Sequence, residues 1–403
     1  MTLLRPLLVS FLMMHSIVNF TIYNDVPIVA PFEIVSLETV LQKYGNEIGY
    51  QEFKPAQEVI YDALPFVPEA FRCMQPGHFT FDKTWVLTIP HGRACSVWGR
   101  VLIDEKYIIR TLEWPALRFS YQLNLLNEDR NQFANVRKVS GRVAVLTCIA
   151  WGNYAHCLND VLGRLAMLEI MGIDYDWLYV PYDDKPFIQQ ILQVWGIDPS
   201  KIIEPLGDFT CIEADELIVP SFPVYMTPTP KCPFKVNTDL FGVKFPTWLS
   251  HYYQEKFIPM ISKTSVNQDR FGKRIFISRK DSGVRILHNE DEVFELFEPY
   301  GFKRYVMTDL TFLEQVELFS QAEIVVGAHG AGMTNIMFCQ PGTKVFEIFQ
   351  ERFDSAYAYL AQSLELDYTP IKTVDFNVHD FWGGAHTTAP LHVFKDVIQS
   401  LSI

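Results

Sequence analysis

Asn153, His156, Asp160 and Arg164 follow one another at intervals of three, four and four residues. In a helix that spacing gathers all four on one face. A histidine with a carboxylate one turn away is a base with an orienting partner, the pair needed to take a proton from a hydroxyl group. The bland alternative is a solvated face whose Asp160–Arg164 pair is worth about 0.2–0.5 kcal/mol. Leu158, Leu162, Leu165 and Leu168 supply the packing side of the same helix.

A second group lies in the glycine-rich stretch 323–348. Gly327, Gly330 and Gly332 let the chain turn sharply and let a ligand reach the backbone, so the N–H groups from Gly330, Ala331 and Gly332 to Thr334 and Asn335 can cradle a phosphate. The order G-x-x-G-x-G is not the dinucleotide fingerprint. His329, inside the turn, is either a ligand contact or a satisfied turn residue. Arg279 ends a strand at Ser278, at the rim beside this turn, where a guanidinium suits a phosphate. Its alternative is a surface arginine paired with Asp281. Lys273, Lys280 and Arg285 read as solvated charges. Glu347, twenty residues after Gly327, is placed to accept hydrogen bonds from ribose hydroxyls, or to cap a neighbouring loop.

No histidine or cysteine spacing points to a metal. Asp174-Tyr-Asp176 precedes a strand instead of following one, so it reads as a solvated turn. Neither a metal nor any other cofactor is expected.

These residues need an α/β frame to bring them together. Strands are predicted at 143–148, 177–180 and 216–219, with helices at 153–171, ended by Gly172, and at 186–195. After a proline-rich stretch and a helix at 246–261, a polar run to Arg270 reads as a linker. A second array follows: strands at 274–278, 304–307, 324–326, 344–348 and 369–373. Its helices start at Asn289 and Thr311, each with a glutamate three residues on that resembles a capping box, and a further helix covers 357–364. Short apolar runs at 84–89 and 100–103 predict a β-rich N-terminal addition. The expected organisation is therefore an N-terminal segment at 1–140, an α/β domain at 141–262 and another at 273–403.

The chain has 403 residues, 49% of them hydrophobic, which is enough for two or three cores at about 150 residues per domain. With 34 basic against 47 acidic residues its formal charge is −13, the wrong sign for a nucleic-acid binder but compatible with one small anionic ligand. Seven cysteines without any C-x-x-C pair disfavour a disulfide framework and favour a reducing, cytoplasmic setting. Residues 1–20 carry one basic residue and a short apolar run interrupted by Ser10, His15 and Ser16. They read as a buried or membrane-surface segment, with a signal peptide for the secretory lumen as the alternative.

The two groups together resemble glycosyltransferase family 61. Residues 152–165, Gly-Asn-Tyr-Ala-His-Cys-Leu-Asn-Asp-Val-Leu-Gly-Arg-Leu, are similar to that family's G-N-Y-x-H-W-L-x-D-x-L-P-R-L, and the blocks at 274–279, 327–335 and 341–348 match more closely. Ala155, Cys157 and Gly163 depart from the pattern, and Cys157 removes a large apolar group on the presumed acceptor side.

The resemblance implies two Rossmann-like domains facing a cleft, the GT-B type, with a β-rich N-terminal addition. It implies an inverting, metal-independent transfer from a nucleotide-sugar donor, a UDP-sugar, to a glycan or glycoconjugate acceptor, as in polysaccharide assembly. His156 or Asp160 would be the base, with His156 preferred because its neutral form is present near pH 7. Arg279, His329, Gly330, Ala331, Gly332, Thr334, Asn335 and Glu347 would bind the donor, and Asn153 and Arg164 would support the site. A nucleotide-sugar-binding protein without catalysis and an NAD-linked oxidoreductase are the competing readings.

Overall fold

The computed structural model describes residues 33–60, 78–97, 99–103, 107–109, 136–148, 150–183, 185–205, 211–223, 225–226, 243–261, 270–349, 355–373, 386 and 388–401. The expected membrane-surface segment at 1–20 lies outside them. Among the described residues no helix is long and apolar enough to cross a membrane.

The architecture is mixed α/β and contains two sheets with parallel strands. In the first, Cys211–Pro220, Val136–Val145, Trp177–Tyr179 and Ile202–Ile203 run parallel in that order. The N-terminal strands expected at 84–89 and 100–103 are present as Thr84–Pro90 and Arg100–Ile103. They join this same sheet, because Thr84–Pro90 and Arg93–Cys95 pair antiparallel with the far edge of Cys211–Pro220. Ten described strands thus form one continuous surface.

Cys95 and Cys211 sit opposite each other in that register and form a disulfide. This corrects the expectation of reduced cysteines: the partners are 116 residues apart, so no local motif announces them. Such bonds persist in oxidising compartments, which weighs against a cytoplasmic setting. Cys148, Cys157 and Cys339 are free and buried.

The second sheet is wholly parallel, in the order Lys303–Val306, Arg274–Ser278, Ile324–Ala328, Lys344–Phe349, Asp367–Lys372. Its buried strands are near-continuous apolar runs, as expected where helices cover both faces. In chain order the strands lie 2-1-3-4-5, so successive connections leave the first strand in opposite directions. That makes the gap between Ser278 and Ala328 the topological switch point, where open α/β sheets hold their ligands.

Thr311 and Glu314 form the expected capping box. Asn289 does not, because its side chain is occupied elsewhere: its amide donates to Ala389 O and its carbonyl accepts from Ala389 N, both at 2.8 Å.

One apolar cluster runs through both halves of the chain. The helix Thr247–Ile261 is its keystone. Its Phe257 packs edge-on against Phe312 at 4.9 Å and against Trp195 at 5.5 Å, while Gln254 Nε2 donates to Met337 O at 2.7 Å. The halves therefore share a dry interface, which fixes their relative placement.

Candidate active site

The segment after Val136–Val145 starts as a helix at Tyr154 because Asn153 caps it: Asn153 Oδ1 accepts from the N–H groups of Ala155 and His156 at 2.9 and 3.3 Å. Asn153 thus supports the helix start. The helix is not uniform. Cys157–Val161 form a π-helical turn between Tyr154–His156 and Leu162–Met171, and one extra residue per turn advances the following side chains by roughly 100°.

The four residues expected on one face are consequently divided. His156 remains partly exposed, at 26% of its side chain, and its Nδ1 lies 2.8 Å from Asp160 Oδ2. Asp160 and Arg164 are buried, so the solvated-pair alternative does not hold. A buried carboxylate against Nδ1 holds the proton there and leaves Nε2 as the acceptor. A histidine held in this way can accept a proton at Nε2, with Asp160 orienting the ring.

Arg164 has a different partner set from the one its spacing implied. Its Nε donates to Pro220 O at 2.9 Å and its Nη1 to Thr147 O at 3.1 Å, while the guanidinium lies over the Phe222 ring. Those carbonyls lie at the C-terminal ends of two adjacent parallel strands, so Arg164 ties that edge of the first sheet together. Burial lowers its pKa to about 10. Cys157 is also inside the core, so the expectation that it bears on an acceptor side finds no exposed side chain there. Gly163 has no spare room: a Cβ there would meet Pro223 Cγ at 2.8 Å and Leu249 Cδ2 at 3.0 Å.

At the second sheet's switch point stand Arg279, just after Ser278, and the turn His329–Gly330, just after Ala328. Glu290, on the next helix, accepts from Ser278 Oγ at 2.5 Å and from Arg279 N–H at 2.9 Å, fixing the strand end. The guanidinium is folded into its own loop: Nη2 donates to Ser282 Oγ at 2.6 Å and to Val284 O at 2.9 Å, and Nε to Arg285 O at 3.3 Å. Asp281 instead accepts from Thr308. The remaining edge of Arg279 lies against Gly330, where any Cβ would overlap the guanidinium. Burial lowers the Arg279 pKa, a cost that an anionic ligand would offset.

The glycine turn leads into the 3-10 helix Ala331–Phe338. Its first N–H groups, at Ala331 and Gly332, lack partners further back in the helix. Thr334 and Asn335 do not present their side chains to a ligand. Thr334 Oγ1 lies 3.1 Å from Tyr357 OH, and Asn335 is bound by Gln315 and by Tyr154, each at 2.8 Å. Both residues are buried.

Glu347 is fully buried, with His329 Nδ1 and Tyr368 OH each 2.5 Å from its oxygens. The carboxylate expected to meet a ribose instead orients His329, whose ring stacks on Phe349 at 5.6 Å. Of the two features behind the NAD-linked reading, the glycine turn and Glu347, the second is thus engaged within the fold. Sequence reasoning missed Tyr368 and Gln315, which no local pattern marks, and gave Tyr154 no role although it stands in the Gly-Asn-Tyr block. Asp176 Oδ2 accepts from the Arg142 N–H at 2.8 Å, so the D-x-D is a structural turn. No cluster of metal-ligating side chains occurs among the described residues.

Residues 154–346, which hold His156, Asp160, Arg279 and the glycine turn, match the family model "Glycosyltransferase 61". Through that segment, just under half of its length, the chain is similar to glycosyltransferase family 61. Curated relatives include the EGF domain-specific O-linked N-acetylglucosamine transferases of Drosophila melanogaster, 26% identical over 158 residues, and of Mus musculus, 26% over 137. The Beta-1,2-xylosyltransferase RCN11 of Oryza sativa subsp. japonica is 31% identical over 94 residues. The matches cover 37%, 33% and 21% of this chain and 28%, 26% and 18% of the respective relatives, so the chain spans less than a third of the proteins it resembles.

Proposed function

We propose that this chain is an inverting glycosyltransferase of the GT-B type that moves a sugar from a UDP-sugar to a hydroxyl of a glycan or glycoprotein. The observation that carries the reading is the His156–Asp160 pair at 2.8 Å, held two residues from Tyr154, which is itself bonded to Asn335 beside the glycine turn. A base and an anion cradle are thereby adjacent. The relatives' printed names, an N-acetylglucosamine transferase and a xylosyltransferase, make those two sugars the first to try.

In the reaction, Nε2 of His156 takes the acceptor proton as the hydroxyl oxygen attacks the anomeric carbon and the bond from that carbon to the diphosphate breaks. The electron pair leaves with the diphosphate. Arg279 and the N–H groups at Ala331 and Gly332 are aimed where that charge develops, a role that elsewhere falls to a divalent cation. Asp160 stabilises the imidazolium until the proton is lost to solvent. His329, held by Glu347 and Tyr368, lines the donor side.

The Cys95–Cys211 bridge supports action in an oxidising compartment, the lumen of the secretory pathway. The test is a thermal-shift screen with UDP-N-acetylglucosamine and UDP-xylose, with and without chelator, followed by UDP-release assays. Stabilisation that survives chelation, with release abolished in His156→Ala, is expected. Full release by His156→Ala defeats the base assignment, and absence of any nucleotide-dependent shift defeats the donor class.

A further inference from the structure

The π turn that divides the His156 helix is held in part by a partner far away in the sequence. The N–H of Leu162 reaches back to Cys157 O, whereas in an α-helix it would serve Leu158 O. Leu158 O is buried and cannot turn to water. It accepts from the Tyr253 hydroxyl at 2.5 Å, across 95 residues of sequence. Within the turn, Ala155 O accepts from Asn159 Nδ2 at 2.8 Å. Two side chains thus hold the carbonyls of Ala155 and Leu158, on either side of His156, and leaving such a group without a partner costs about 1–3 kcal/mol.

Tyr253 is suited to nothing but donation here. It is fully buried, and burial pushes its hydroxyl well above the ordinary phenol range, so the proton stays on the oxygen. Its ring is wedged between Trp195 and Phe257, at 6.0 and 5.7 Å, which leaves the hydroxyl little freedom. The next residue, Gln254, donates to Met337 O at 2.7 Å at the end of the donor-side 3-10 helix. One helix therefore holds the turn carrying the base and the segment carrying the anion cradle.

We propose that Tyr253, together with Asn159, is a positioning residue: it pins the π turn so that Asp160 stays beneath His156 and fixes the proton on Nδ1. The chemical use of that arrangement rests on His156 being the base, but the arrangement itself can be read without substrate.

The experiment is a long-range proton–nitrogen NMR spectrum of the full chain with labelled histidine, with His156 assigned by its loss in His156→Ala. Wild type should show His156 as the Nδ1–H form. In Tyr253→Phe that form should give way to a mixture with Nε2–H, and UDP release should fall by about 10- to 100-fold with KM for the donor unchanged. In an Asp160→Asn background the same change should cost little more, because both act through one imidazole.

A folded Tyr253→Phe with an unchanged His156 signal overturns the proposal, as does a wild-type His156 that is not Nδ1–H. If Tyr253→Phe does not fold, Asn159→Ala is read in the same way and decides it. A tautomer change in Tyr253→Phe, combined with full activity in His156→Ala, supports the positioning and removes His156 as the base.

Discussion

The Tyr154 hydroxyl donates to Asn335 Oδ1 across 2.8 Å, and that bond joins the helix carrying His156 to the helix that follows the glycine turn. The same Asn335 donates to Gln315, whose amide is anchored on Met307 O and Leu310 O at 2.9 and 3.1 Å. Burial pushes the Tyr154 hydroxyl far above its usual pKa, so it remains a donor. Tyr154→Phe keeps the ring packed on Phe187 but strands a buried amide oxygen. Loss of about 1–3 kcal/mol of stability is expected, read as the urea midpoint. An unchanged midpoint means that the bond does not join the halves.

Asp160→Asn should preserve the helix and the His156 contact while reversing its polarity. An amide can donate to Nδ1, which leaves the proton on Nε2 where the acceptor hydroxyl needs a lone pair. The turnover rate should fall by on the order of 10²–10⁴, with little change in donor KM. Initial-rate UDP release over a donor titration reads both. A rise in KM at constant turnover shows instead that Asp160 serves binding.

Much of this arrangement was legible in the sequence because it is local. Thr311 and Glu314 announce their capping box at three-residue spacing, and Arg279 announces its rim position by following an apolar strand. What was not legible depends on distant partners. Asn289 loses its cap to Ala389, 100 residues away, and Glu347 is claimed by His329 and Tyr368. The regular three-four-four spacing misled at Arg164, since a π turn leaves no compositional mark yet rotates the residues beyond it. The switch point needed the strand order, which the sequence carries only implicitly through its long-range pairings.

The contact between Glu169 and Lys256 predicts an acid limb to stability. Burial raises the Glu169 pKa, but Lys256, Tyr252 and Trp195 together outweigh it and leave the carboxyl below its ordinary value of 4.5. A folded pKa below the unfolded one adds stability above about pH 4.5, and that stability is lost as pH falls through the folded value. Glu169→Gln should therefore lower Tm at pH 7 and converge on wild type below pH 4.5. A constant Tm difference across that window means that the ion pair does not carry the effect.

Arg279 and Gly330 should fail together. The guanidinium is anchored through Nε and Nη2 and presents its other edge over Gly330. Arg279→Lys removes the fork and leaves a point charge on a flexible stem, so UDP should raise Tm less than in wild type, with a binding loss of about 1.5–3 kcal/mol. Gly330→Ala introduces a Cβ where the guanidinium lies and should displace it, giving a loss of similar size although the charge is retained. Because both changes act on one contact, the double variant should lose little more than either single one. Calorimetric titration with UDP measures all three. Additive losses would mean that Gly330 serves the ligand through its own backbone, independently of the arginine beside it.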